Sequence, residues 1–220
     1  LWELWRKSPE GFTAGICKSV EGKKILEQYA RTLEEIERPV LATNLEEFSD
    51  VIFDFVFFRN PVTTKESFAE FAEKVKNLKE LYPECKIIIS QKIPAKAQCL
   101  ASLIRGIYPQ KSSLIDKIEK LETEFFTSKS PISWNLTDFT ESLPKTENEK
   151  INSVEKSISE KRKITQQDLD NWFNPNSSYA KFLSENLSKE EFDEFYALLQ
   201  QSSTETIFDW QSMVGFVKIG

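Results

Sequence analysis

Arg59 and Asn60 close the apolar run 51–58 (VIFDFVFF), placing a cation and an amide directly before Pro61. If that run is a parallel strand, the pair sits where open α/β sheets bind ligands, at the strand's carboxyl end. The structural alternative is a surface arginine and a loop residue restricted by the proline. Gln91, Lys92 and Gln98 follow a second apolar run, 85–90 (CKIIIS), and line either a substrate mouth or a solvated turn. Trp172, Phe173, Tyr179 and Phe182 are of a type that stacks on a base or caps a substrate, although aromatics at helical spacing more often fill a core. Lys161, Arg162 and Lys163 form a short basic triplet that suits phosphate, but the chain has a net charge of -6. A solvated segment is therefore the better reading, and nucleic acid is not expected as a partner.

Composition removes much other chemistry. The 220 residues include no histidine, so neither a Ser-His nor a Cys-His relay can be built, and no imidazole is available for a metal. The six glycines form no GxGxxG or GxxxxGK[ST] loop, which removes the usual cradles for phosphate. Cys17, Cys85 and Cys99 are far apart and unpaired by motif, the pattern of reduced thiols in a cytoplasmic protein, so no metal is expected. The longest apolar run is interrupted by Asp54 and falls far short of the roughly 20 residues of a membrane span. No basic start followed by an apolar stretch suggests secretion or a membrane partner.

Short apolar runs alternate with amphipathic segments. Runs at 12–17, 40–42, 51–58 and 85–90 are near-continuously apolar, as strands covered on both faces require. Between them Ile25, Leu26, Tyr29, Ala30, Leu33 and Ile36 predict one helix, and Phe68, Phe71, Ala72, Val75, Leu78 and Leu81 another, the latter entered through a capping box of Thr63 and Glu66. A third carries Leu114, Ile115, Ile118, Leu121, Phe125 and Phe126. The polar stretch 145–163 predicts a loop leading to an exposed edge strand near 152–158. Helices follow at 165–173, 179–186 and 188–200, the last with a capping box of Ser188 and Glu191, before a closing strand at 212–219. The expected fold is a single α/β domain over 1–220: a three-layer, mostly parallel sheet, with a helical insertion at 164–202 over the sheet edge, before an antiparallel last strand. The runs near 12, 51 and 85 are expected side by side and pointing the same way.

The segment FDFVFFRNPV resembles the fourth strand of class I S-adenosylmethionine-dependent methyltransferases, a Rossmann-type family. GICKS and the following KKILEQYA are similar to the family's second strand and helix, PVLATNLEEF to its third strand and turn, CKIIISQKIP to its fifth, and SMVGFVKI to its closing antiparallel strand. The resemblance implies S-adenosylmethionine as cofactor, with Asn44 and Leu45 at the adenine and Arg59 and Asn60 nearby. Cys17 falls where the family places an acid for the ribose hydroxyls, and a thiol is a weak acceptor; Glu21 is the alternative. The family's glycine-rich turn and first, central strand have no counterpart from Leu1 onward, so the chain is expected to be a fragment of a longer one, and either the sheet closes up or some other segment, from this or another molecule, fills the gap.

LWELWRKSPEGF, QKIPAKAQCLASLI and RKITQQDLDNWF further resemble the C-terminal domain of cyanobacterial fusion proteins whose other part is an AAA ATPase of the RarA recombination-factor type. This implies a methyltransferase-like domain of low or absent catalytic competence that serves an ATPase domain of the same longer chain in DNA replication and recombination maintenance. The alternative is an active S-adenosylmethionine-dependent methyltransferase that holds its acceptor under the segment 172–182. No catalytic residue is assigned by either resemblance.

Overall fold

A computed structural model describes residues 1–8, 10–144 and 150–220, with the side chains of 204 and 205 left aside. Part of the expected polar loop, 145–149, thus lies outside the described residues. The chain forms two compact units, Leu1–Ile52 and Phe53–Gly220.

In the first unit α1 (Trp2–Lys7), β1 (Ala14–Ile16), α2 (Val20–Ala30) and β2 (Val40–Ala42) follow one another. β1 and β2 pair in parallel, Ala14 opposite Val40 and Ile16 opposite Ala42. The Trp5 indole donates to the Glu37 carbonyl. α2 starts where the Ser19 hydroxyl accepts from the Gly22 amide at 3.0 Å. It stops at Ala30, short of the predicted Leu33 and Ile36, and the Thr32 hydroxyl bonds the Tyr29 carbonyl at 2.9 Å. Its apolar spacing does not translate into a buried stripe, since Ile25 and Tyr29 are 54% and 66% exposed.

The second unit contains β3 (Phe55–Arg59), α3 (Phe68–Leu81), β4 (Lys86–Lys92), α4 (Leu100–Ile104), α5 (Ser112–Glu124), α6 (Leu136–Ser142), β5 (Ile151–Arg162), α7 (Gln166–Trp172), α8 (Ser178–Asn186), α9 (Lys189–Glu205) and β6 (Phe208–Ile219). Its sheet runs in the order β3-β4-β6-β5. β3 and β4 are parallel, Phe55 opposite Lys86, whereas β6 lies antiparallel to both β4 and β5. The sheet is therefore mixed, not mostly parallel. The long ladder of β5 on β6, from Ile151 opposite Ile219 to Arg162 opposite Phe208, supplies the antiparallel half. Of the three runs expected side by side, only β3 and β4 pair with each other; β1 pairs with β2 in a separate two-stranded sheet.

One face of the larger sheet is closed by α3 and α6, through edge-to-face contacts of Phe58 with Phe71 and of Phe68 with Trp134 and Phe139. Phe139, Ile87 and Ile89 are fully buried there, each worth about 1.5–3 kcal/mol relative to exposure. The other face leaves Phe55, Phe57 and Val154 between 45% and 51% exposed, which departs from the expected three layers. Gly215 of β6 passes so close to α6 that a Cβ there would meet Leu136 Cδ1 at 2.5 Å. A second core joins α4 and α5 to α7, α8 and α9 around Ile104, Ile115, Ile118, Leu183 and Phe195, with Ile164 and Phe208 from the chain beside β5 and from β6. The predicted helical segment is thus packed on two helices from earlier in the chain. Its capping box of Ser188 and Glu191 is present, as are two not predicted, Asn135 with Asp138 and Thr165 with Asp168. The expected box of Thr63 and Glu66 is replaced by a tight turn over Lys65–Ser67 that leads into α3.

Candidate functional site

The cofactor residues inferred from the sequence fall in two groups, one in each unit. Cys17 directly follows β1; its amide donates to the Ala42 carbonyl at 2.8 Å, and burial pushes its thiol above the usual range. Glu21 is exposed in the first turn of α2. After β2, the Asn44 amide oxygen accepts from the Glu47 amide at 3.1 Å, and Glu47 in turn accepts from the Thr43 backbone at 2.9 Å. Bonds from the Thr43 backbone hold the Glu47 carboxyl below its ordinary value. Leu45, half-buried, begins the turn Glu46–Phe48.

In the second unit Arg59 is exposed at the end of β3. Asn60 has φ of 48°, a left-handed conformation that asparagine tolerates better than most residues. Its amide proton goes to the Ser90 carbonyl at 2.7 Å, and its side-chain oxygen accepts from the Lys92 amide at 2.8 Å, tying the end of β3 to β4. Gln91 does not reach a substrate mouth. It is buried and bridges the Val62 amide and carbonyl, at 3.3 and 3.1 Å. The parity of β4 explains this, because 87, 89 and 91 share one face and Ile87 and Ile89 point into the core.

Beyond β4 a cleft of about 410 Å³ opens between the segment 92–100, the first turn of α8 and the start of β6. Lys92 and Gln98 line it, as do Trp172 and Tyr179. Phe173 instead packs against Tyr179, Phe192, Phe195 and Tyr196, and Phe182 against Phe125. Trp172 stacks on Trp210 at 5.9 Å, and the Arg162 guanidinium lies 4.5 Å from the Trp210 ring centroid. Of the basic triplet, Lys161 is paired with Asp209 at 2.6 Å and Arg162 with Asp168 at 2.5 Å, while Lys163 is exposed.

Behind the cleft wall lies Glu122, a residue outside every motif named from the sequence. It is fully buried on α5, accepting from the Leu100 and Ala101 amides at 2.8 and 2.9 Å and from the Tyr179 hydroxyl at 2.7 Å. Burial outweighs these three donors and pushes its carboxyl up to about 7. Burial, then the neighbouring Glu122, raises Tyr179 well above its ordinary value, and the same two causes push Cys99 up to about 11. The carboxylate thereby fixes the start of α4 and the first turn of α8 to one point. The signal was present in the spacing: 115, 118 and 122 fall on one helical face, so the acid stands in an apolar stripe.

Compared with known proteins, the chain matches no family model and no curated protein. Among the described residues no group of three His, Cys, Asp or Glu could hold a metal ion, and no helix is long and apolar enough to cross a membrane.

Proposed function

We propose that the chain is a methyltransferase-like domain of the Rossmann type that works as a scaffold for an AAA ATPase of the RarA recombination-factor type in the same longer polypeptide. The observation that carries this reading is the strand arrangement. A parallel pair, β3 and β4, is continued by an antiparallel β6, which accords with the resemblance of FDFVFFRNPV and CKIIISQKIP to the fourth and fifth strands and of SMVGFVKI to the closing antiparallel strand.

The donor set argues for a scaffold. Ribose recognition needs a strong acceptor at the end of β1; Cys17 offers a buried, neutral thiol there, and the alternative, Glu21, is exposed in the first turn of α2. The Asn44 and Asn60 side-chain oxygens already accept backbone amides. These residues do not fit S-adenosylmethionine, and no methyl-transfer step is derived from them. Three free cysteines accord with a cytoplasmic setting. The test is co-sedimentation of this chain with a separately produced RarA-type ATPase module. The reading predicts a complex and a changed rate of ATP hydrolysis; two independently sedimenting species with an unchanged rate would contradict it.

A second reading, active methyl transfer, draws support from the cleft beneath 172–182, where an acceptor molecule would sit.

A further inference from the structure

The cleft of the second unit is built of two kinds of group. Its walls are aromatic, from Phe125, Phe126, Trp172, Tyr179 and Trp210. Its charged lining is Lys92, Lys96 and Arg162, with no carboxylate among the lining residues. On a chain of net charge -6 this is a concentration of one sign against the trend of the whole molecule. Lys96 is paired with Glu155 and Arg162 with Asp168, whereas Lys92 makes no ion pair among the described residues. The first turn of α8, Ser177 to Tyr179, also lines the space, so the positive end of that helix adds to the same field. Two of the lining residues are tied together, the Gln98 side-chain oxygen accepting from the Gln211 backbone amide at 3.1 Å. The volume, about 410 Å³, lies within the usual small-molecule range of roughly 300–1,000 Å³.

We propose that this cleft binds a small molecule consisting of a flat aromatic ring that carries an anionic group. The ring lies along the Trp172, Tyr179 and Phe126 wall, and the anion is met by Lys92 and Arg162. Lys92 is the group with unspent charge. Arg162 is held in place by Asp168 and by the face of Trp210, so it presents its remaining donors without first having to be ordered. Glu122 stands behind the wall and positions it, bonded to Tyr179 and to the start of α4. The site does not depend on S-adenosylmethionine, because every lining residue belongs to the second unit and none of the expected cofactor residues is among them.

The anion is a phosphate or a carboxylate, and the experiment separates the two. The indole resonances of Trp172 and Trp210 are followed by proton–nitrogen NMR on the full chain, with no S-adenosylmethionine present. Adenosine monophosphate and naphthoate are titrated, with neutral adenosine and inorganic phosphate as controls. Saturable shifts at both indoles are expected with at least one anionic ring, bound about tenfold or more tightly than adenosine and phosphate. The phosphate or the carboxylate form, whichever binds, identifies the anion. Lys92→Glu, an exposed change, lowers that affinity by about tenfold or more, while Lys189→Glu on α9 leaves it unchanged. Absence of saturable shifts with both anionic rings, equal binding of adenosine, or an unaltered affinity in a folded Lys92→Glu variant overturns the proposal. The ligand series on the unaltered chain decides even if the variant does not fold.

Discussion

Replacing Glu122 with glutamine changes how stability depends on pH, and the size of the change follows from its surroundings. The buried carboxyl is pushed from an ordinary 4.5 to about 7. Between those values the folded chain holds a proton that the unfolded chain has released, so stability falls as pH rises. The contribution is complete below the unfolded value and gone once pH has passed the folded one. From pH 5 to 7.5 this amounts to about 2–3 kcal/mol at 1.36 kcal/mol per unit. The chain has no histidine, which removes the usual competing source of pH dependence in that window.

In Glu122→Gln the single amide oxygen still accepts from Leu100 and Tyr179, but the amide nitrogen faces the Ala101 donor. That buried mismatch costs about 1–3 kcal/mol at pH 5. At pH 7.5 the deficit shrinks, because the variant no longer buries a charge. Urea unfolding followed by tryptophan fluorescence at both pH values reads the effect directly. A wild-type stability that is flat from pH 5 to 7.5, or a glutamine variant that keeps the wild-type slope, would refute the reasoning.

Other substitutions test separate joints of the fold. Gly215→Ala forces a methyl group against Leu136 and Ile93 and should cost about 1–3 kcal/mol in urea unfolding. Asn60→Ala loses both the tolerance for a positive φ and the bond to the Lys92 amide, a loss of about 2 kcal/mol, whereas Asn60→Gly keeps the backbone and loses less. With its thiol pushed up to about 11, Cys99 should be alkylated by iodoacetamide at pH 8 many-fold more slowly in the native chain than in urea, as mass spectrometry of the modified peptides would record.

The parts that were legible in the sequence are those fixed by local pattern. CKIIIS forms β4, the apolar face of 114–126 forms α5, and Ser188 with Glu191 caps α9, because strand parity, helical spacing and a capping box act within a few residues. Strand pairing is not local. VIFDFVFF reads as one strand over 51–58, yet β3 begins at Phe55, and the residue before it meets β4 through the bond of the Lys86 amide to the Asp54 carbonyl at 2.9 Å. The mixed sheet depended on where α7, α8 and α9 return the chain, and nothing in a single run encodes that. The cleft was half legible: Lys92, Gln98, Arg162, Trp172 and Tyr179 are each named from the sequence, but only the β5–β6 ladder, which pairs residues far apart in the chain, brings Trp210 in beside Arg162.

Whether this domain is a scaffold or an enzyme is tested most directly by calorimetric titration of S-adenosylmethionine and its demethylated product into the chain. With Cys17 buried and the Asn44 and Asn60 oxygens engaged, the scaffold reading predicts no saturable heat with either compound at millimolar concentration. Micromolar binding of either would contradict it and show that these donors hold the cofactor after all.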